Sequence, residues 1–443
     1  MRLYPAVLMI LISSTVTAQP FVETGIIDAQ DIDPSTEQGA LGTLVRFAGD
    51  GRTLLATAPF RNDPSFSGSQ NGSVYSFRAQ ENGTLQLLQI LEPGARNQFG
   101  KILATDGEWA AIGEGGDKVR IYRLVNGTWN LTQLLRIDPD VPGTPGVTVR
   151  RLASSAAMSS SLLAIGDATT NIAIGEVTRS NAGSVILFRR ANNNQWLHEA
   201  TLIAPLPQSS FGFGDALAVS GDTVLVGAPD DSVPIGDASQ IVGGAYLYRR
   251  NGPDWQHVRT LRDPDPVASN RRFGWSVAIE DDIAVAGCAS CGPPDTGGIN
   301  NTGAFFSYRR DLGGTNAWGL VGKTVASAPV SIDEFSISLS LRRKVMLVGA
   351  SGNGARRASF FVGNSTGQWA EHSVLQDSAV TFTSFGASVD FSGGVVVIGA
   401  PSWPNTSFSE RWGAISSWYS RSIDSCNGNF DGIYCDRFEA LSQ

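Results

Sequence analysis

The stretch Phe211–Asp231, "FGFGDALAVSGDTVLVGAPDD", decides the fold, because Gly212-Phe213-Gly214 could be a phosphate-cradling loop or a structural device. A dinucleotide fingerprint needs a third glycine where Leu217 stands. It also needs a following helix whose N-terminus faces the pyrophosphate, and "ALAVS" alternates as a strand instead. The glycines are therefore read as structural.

The same stretch recurs along the chain. "FGKILATDGEWAAIGE" (Phe99), "FGWSVAIEDDIAVAGC" (Phe273), "FSISLSLRRKVMLVGA" (Phe335) and "FGASVDFSGGVVVIGAP" (Phe385) each place the aromatic 14 residues before the glycine of a Gly-Ala-Pro-like end. Two weaker copies keep that spacing, Leu152 to Gly166 and Thr43 to Thr57, which gives seven in all. Each copy continues through a loop into an alternating aromatic run such as "GSVILFRR" (Gly183), "GAYLYRR" (Gly244) or "GAFFSYRR" (Gly303). A polar turn then leads to Trp129, Trp196, Trp255, Trp318 or Trp369, with Leu85 in the first copy.

Runs rich in Val, Ile, Phe and Tyr with period-two alternation, broken at Asp106-Gly107, Gly221-Asp222 and Gly393-Gly394, are strands joined by tight hairpins. Four strands per copy and seven copies predict an all-β chain, a seven-bladed β-propeller of four-stranded antiparallel blades, in which each sheet buries its faces against its neighbours. The seventh copy ends at Tyr419 without a Trp strand, and the segment Phe21–Gln30 has no place in the first. It is expected to complete the last blade and close the ring, leaving no open sheet edge.

Composition agrees. The chain has 443 residues, of which 50 are glycine and only 17% are charged, while 42% are hydrophobic, enough for a sizeable core and too many for a disordered chain. The net charge of −8 and the absence of a Lys/Arg block argue against nucleic acid as a partner. Arg2, the apolar run to Val16 and the small residues ending at Ala18 read as a secretory signal peptide cleaved after Ala18. Domain limits follow as 1–18 signal peptide, 19–420 propeller and 421–443 a short tail. No segment is long enough for a membrane span, so a secreted, periplasmic or surface location and a monomer are expected.

"FGFGDALAVSGDTVLVGAPDD" with "GGAYLYRR" resembles the FG-GAP repeat, named for its Phe-Gly and Gly-Ala-Pro ends. That repeat builds the seven-bladed propeller at the head of integrin α chains and of many bacterial secreted proteins, and here the resemblance spans residues 21–420. Integrin-type repeats often carry an Asp-rich calcium loop between the first two strands. This sequence has only short turns there, Ser220-Gly221-Asp222 and Glu280-Asp281-Asp282, too few oxygens for a calcium ion. The family's calcium sites are not carried over, and no cofactor is expected. Calcium would have to bind elsewhere, and the tail residues Asn427, Asn429, Asp431 and Gly432 match only the first half of an EF-hand loop.

Catalytic motifs dissolve into the repeat. Gly274-Trp275-Ser276 and Gly386-Ala387-Ser388 lack the last glycine of a nucleophile elbow, "AWGLVGKT" (Ala317–Thr324) lacks the first glycine of a P-loop, and His198, His257 and His372 follow repeat tryptophans on separate blades. The pairs Arg189-Arg190, Arg249-Arg250 and Arg309-Arg310 end third strands and read as a solvated rim. The cysteines are expected to pair locally, Cys288 with Cys291 and Cys426 with Cys435.

Loops between second and third strands, and those leading into the next Phe-Gly, share one end of the ring. That end is the candidate binding face, with Asp230, Asp231, Asp237, Arg271, Arg272, Asp295 and Trp403 as candidate ligand contacts. The expected activity is non-catalytic recognition of an extracellular protein or glycan. The alternatives are a carbohydrate-active lyase or hydrolase using loop Asp and Arg residues near the central channel, and a structural part of an envelope assembly.

Overall fold

Each repeat forms one antiparallel sheet in the computed structural model, and seven such sheets stand around one axis. The structure describes residues 21–28, 32, 39–61, 71–93, 98–137, 147–148, 153–235, 238–264, 272–291, 302–330, 332–352, 356–376, 384–401 and 413–420. The expected signal peptide, the tail with Cys426 and Cys435, and the candidates Asp237, Arg271, Asp295 and Trp403 lie outside the described residues.

Blade four shows the pattern: Ala216–Ser220, Thr223–Ala228, Gly244–Asn251 and Asp254–Leu261 pair in chain order. The first strands of the other blades are Val45–Phe47, Leu103–Asp106, Ser155–Ser159, Phe273–Glu280, Ser338–Arg342 and Ser388–Ser392. Each packs on the first strand of the next blade, and the contacts run round all seven, so the first strands are innermost. Second strands such as Thr223–Ala228 and Val395–Ala400 are buried throughout, as apolar runs held between two neighbouring blades must be.

Ring closure occurs where the sequence places it. Val22–Asp28 pairs antiparallel with Ala414–Tyr419 as the outer strand of blade seven. Thr24 Oγ1 lies 3.0 Å from the Ser417 carbonyl and 2.9 Å from that of Gly83 in blade one, and the Ser416 hydroxyl donates to Glu23 at 2.9 Å.

The glycine of Phe-Gly is required by two constraints at once. Gly214 has φ +97°, and a Cβ there would sit 2.8 Å from the Ser184 carbonyl of blade three; Gly274 has φ +85° and would meet the Gly244 carbonyl at 2.2 Å. The preceding phenylalanine bridges to the glycine before the third strand of the previous blade, Phe213 to Gly183, Phe273 to Gly243 and Phe335 to Gly303. Phe-Gly is thus an inter-blade latch. Ser336 replaces the glycine in blade six with φ +73°, and its hydroxyl accepts from Cys288 N and donates to the Ala304 carbonyl.

The first copy corrects the expected spacing. Leu41, not Thr43, takes the aromatic position, bridging to Gly413 of blade seven, and Gly42 N donates to the Thr57 carbonyl. The reason is a longer first hairpin: Phe47 pairs with Leu54 across six intervening residues, where Ser220 and Thr223 enclose two.

Innermost strands present an open edge to the axis, and side chains from the neighbouring blade satisfy it. The Ser155, Ser276 and Ser338 hydroxyls donate to the carbonyls of Gly214, Ser336 and Gly386. Val45 N and Phe47 N donate to Ser388 Oγ and Asp390 Oδ2. Ser276 and Ser388 are therefore strand residues with structural bonds. At mid-height the pairing register places one residue of each blade in a common layer: Arg46, Ala104, Ala157, Ala218, Ala278, Ser340 and Asp390.

Candidate functional site

The end of the ring that carries the loops between second and third strands divides the described candidates into surface and support. Asp231 is support. Its side chain is 0% exposed, the Tyr246 hydroxyl donates to its Oδ2 at 2.8 Å, and the Arg262 guanidinium donates to the same oxygen. Its backbone carbonyl accepts from Val242 and Gly243, fixing the turn that enters the third strand. Burial holds its carboxyl above the usual carboxylate range, against the opposing pull of Arg262 and Tyr246. It presents nothing to a ligand.

Asp230 and Arg272 remain at the surface and sit on either side of the seam between blades four and five. The seam is tight: Gly274 lies so close to the Gly227–Ala228 backbone that a Cβ on Gly227 would meet its carbonyl at 2.1 Å. Arg272, in the left-handed region at φ +56°, turns the chain into Phe-Gly, and Trp275 N donates back to its carbonyl. The turn folds the Arg272 guanidinium over the indole of Trp275, 5.0 Å from the ring centroid. Trp275 is 37% exposed and is the one large aromatic among the exposed hydrophobic residues described.

Asp215 holds in blade four the position that Trp275 holds in blade five, one residue after Phe-Gly. Its tip is exposed, yet desolvation of the crowded turn, reinforced by the Asp230 carboxylate, pushes it up to about 6. This end of the ring therefore carries, in blade five, an exposed indole stacked by a guanidinium and, in blade four, two mutually repelling carboxylates. Sequence reasoning selected Asp230 and Arg272 and overlooked Trp275 and Asp215. The available signal was the register itself: the residue after Phe-Gly is Asp in one copy and Trp in the next, where Lys101, Ile337 and Ala387 stand in others.

The remaining expectations resolve into architecture. Arg189 pairs with Glu199 and, at 2.9 Å, with Asp222 of the next blade; Arg250 pairs with Glu199 at 2.8 Å and Arg309 with Asp282 at 3.3 Å. The arginine pairs are inter-strand and inter-blade ties more than a solvated rim. Trp129 donates from Nε1 to Ser76 Oγ of blade one, and Trp255 donates to Glu199 of blade three, so the repeat tryptophans span blade junctions. His198 packs edge-on to Phe188, and His257 against Tyr248. Cys288 and Cys291 form a disulfide with Cα atoms 5.3 Å apart. Among the described residues no group of three or more His, Cys, Asp or Glu side chains is placed to hold a metal, and no helix is long and apolar enough to cross a membrane.

Comparison with known proteins agrees with this architecture. No curated protein matches the sequence. A solved structure of similar shape is the β-propeller domain of Cps50 (Swd1) from Myceliophteria thermophila, 11% identical, with a TM-score of 0.53 over 90% of this chain and 99% of that one; the likeness is one of fold. The FG-GAP repeat matches residues 196–248, from the fourth strand of blade three through the third of blade four. That match is offset from the blade by one strand, as the closure by Val22–Asp28 is. Residues 196–248 are thus an FG-GAP repeat, and the seven-bladed ring around them fits an FG-GAP propeller.

Proposed function

We propose that the protein is an exported, non-catalytic recognition module that binds a glycan or a protein surface at the seam between blades four and five. The observation that carries this is the Arg272–Trp275 stack: a half-exposed indole held flat by a guanidinium is a platform for a sugar ring or an interface anchor. Asp230 and Asp215 of blade four supply hydrogen-bond acceptors on the same end of the ring. The Cys288–Cys291 disulfide supports an oxidising compartment, as does the FG-GAP repeat.

A second reading draws on Asp215. One carboxyl pushed up to about 6 next to another carboxylate is the asymmetry of an acid/base pair, which favours an extracellular carbohydrate-active enzyme. One experiment separates the two readings: arrayed polysaccharides and cell-surface proteins are incubated with the protein, and both retention and released product are recorded. Recognition predicts retention without turnover, weakened roughly thirtyfold by Trp275→Ala, as a loss of about 2 kcal/mol at an aromatic anchor implies. Product release abolished by Asp215→Asn would replace recognition with catalysis.

A further inference from the structure

One position of the repeat changes the sign of its charge in blade one. Just before each second strand stands a residue whose carbonyl accepts an N–H from the end of the third strand: Glu108 from Leu124, Ser161 from Arg190, Asp222 from Arg250, Asp282 from Arg310 and Lys344 from Gly363. Where it is a carboxylate, it neutralises an arginine that ends a third strand, Glu108 with Arg123 at 2.7 Å, Asp222 with Arg189 of blade three at 2.9 Å and Asp282 with Arg309 at 3.3 Å. In blade one the same position, accepting from Ala79, is Arg52. The third-strand arginine is kept as Arg78, so two guanidiniums come to the place where blades two, four and five hold an arginine and a carboxylate. Blade six has Lys344 there but Val362 on its third strand.

The longer first hairpin of blade one supplies a carboxylate of its own, but Asp50 is spent on the turn. Its Oδ1 accepts from Arg52 N at 3.0 Å and Thr53 N at 2.7 Å, and its Oδ2 accepts from the Thr53 hydroxyl at 2.6 Å and from Arg78 Nη1 at 3.2 Å. Arg78 is thereby held in place, while its Nε and Nη2 have no acceptor among the described residues. The Arg52 guanidinium has no hydrogen bond to any described residue. The one described carboxylate within reach of it is Glu81, 4.0 Å away and 90% exposed, a pair that water screens.

A cavity of about 430 Å³ opens between the two hairpins of blade one, with Arg52, Arg78, Gln80, Glu81, Asn82 and Thr84 in its lining. Its size is that of a small-molecule site and exceeds what an inorganic ion fills. No large apolar side chain lines it, so an aromatic or aliphatic ligand finds nothing to bury against. Gln80 Nε2 donates to Gln86 Oε1 at 3.1 Å and leaves its own oxygen as an acceptor, whereas Asn82 Oδ1 accepts from Thr84 N and Oγ1 and leaves its amide nitrogen as a donor. Two guanidiniums call for an oxyanion, and amides beside them suit sugar hydroxyls. These hairpins join first to second and third to fourth strands, so the cavity lies at the end of the ring opposite the seam.

We propose that this cavity binds an acidic sugar, whose sulfate, phosphate or carboxylate group is taken by Arg52 and Arg78 and whose hydroxyls meet Gln80 and Asn82. Arg78 is the fixed half of the anion site, set by Asp50. Arg52 is the half that exchanges its screened contact with Glu81 for the ligand, so Glu81 competes with the anion. Planar guanidiniums with adjacent open N–H groups match an oxyanion better than point charges would. The site is separate from the seam and does not depend on what binds there.

The test is calorimetric titration of the full chain with glucose monosulfate, glucose monophosphate and glucuronate as sodium salts, with glucose and N-acetylglutamate as controls, at constant ionic strength set by sodium chloride. The expected result is saturable one-to-one binding of an acidic sugar, roughly tenfold or more tighter than either control, and the tightest of the three names the anionic group. Arg52→Gln should weaken it roughly tenfold while the melting temperature holds, since that side chain is 58% exposed. Glu81→Gln removes the competing carboxylate and should tighten binding about threefold. Absence of saturable binding by all three acidic sugars, a control bound as tightly, or unchanged affinity in Arg52→Gln would overturn the proposal. So would weaker binding in Glu81→Gln, because the carboxylate would then be holding the hydroxyls of a neutral ligand.

Discussion

Arg262 donates to Oδ2 of Asp231, a carboxylate with no exposed surface, and so joins the end of the fourth strand to the turn before the third. Blade two makes the link with Asp117 and Arg136 at 3.4 Å, and blade one makes it with the charges exchanged, Arg61 to Glu92. In these three blades the residue four after the glycine, or after Thr57 in blade one, pairs with the residue one after the strand-four leucine, and the polarity of the pair varies. The three pairs differ in burial, and that decides their weight. Arg262→Met leaves Asp231 buried with only the Tyr246 hydroxyl and is expected to cost about 3 kcal/mol, whereas Arg61→Met leaves a half-exposed Glu92 and is expected to cost under about 1 kcal/mol. Because burial raises the Asp231 carboxyl in the folded state, the Arg262→Met penalty should grow as pH rises from 4 to 7 and shrink in acid, where the carboxyl is protonated. Chemical denaturation at the two pH values checks both statements.

Closure by Val22–Asp28 makes the ring depend on its first described strand. Deleting residues 19–30 exposes the edge of Ala414–Tyr419 and removes the bonds of Thr24 to Ser417 and Gly83. A fall in melting temperature of roughly 10 °C or more, or association through the bared edge, is expected, and a synthetic peptide of residues 19–30 should restore part of the loss. An unchanged melt would show that blade seven is stable with three strands.

The fold was legible because its determinants are local and repeated. Phe213 and Gly227 recur 14 residues apart, Trp255 recurs near the start of the fourth strand after loops of varying length, and the closure followed from a strand missing at Tyr419 and one to spare at Phe21. The first copy misled because its extra hairpin residues shift the aromatic position to Leu41 while Thr43 still satisfies a count of 14. The site was less legible, since what a loop residue does depends on contacts between blades. Asp230 and Asp231 are adjacent in sequence, yet one faces solvent and the other is sealed by Arg262 from about thirty residues away. Trp275 was hidden by its motif: between Gly274 and Ser276 it looked like part of an elbow, and only the seam geometry turns it outward.

Asp215 offers a pH test of the seam. Its folded-state carboxyl is pushed up from 3.8 to about 6, so the folded protein holds this proton more tightly than the unfolded chain does. Stability from this group is present at acid pH and is lost as pH rises through the window from about 4 to about 6. Asp215→Asn should remove that loss and leave the variant at least as stable as the parent at pH 7. Asp230→Asn should move the Asp215 titration downward without abolishing it, because desolvation is the larger cause. Carboxyl titration by NMR, alongside melting temperatures from pH 4 to 7, distinguishes these outcomes.

Blade five ties its turn covalently. Cys291 occupies the position of Asp231, and Cys291 N donates to the Cys288 carbonyl as Asp231 N does to Ala228. A loop closed over so few residues restrains the unfolded chain by about 2 kcal/mol, comparable with the ion pair it replaces. Both sulfurs are fully buried, so a reductant reaches them only when this end of blade five opens. Reduction at 25 °C should therefore be slow, follow the opening rate rather than thiol concentration at high reductant, and lower the melting temperature by a few degrees once complete. The double variant Cys288→Ala, Cys291→Asp restores the blade-four residue types but brings a buried carboxylate without its arginine, because the residue equivalent to Arg262 is Val325. It should be less stable than Cys288→Ala, Cys291→Ala at pH 7 and approach it in acid; equal stability at pH 7 would mean that the turn in blade five leaves its fourth residue open to water.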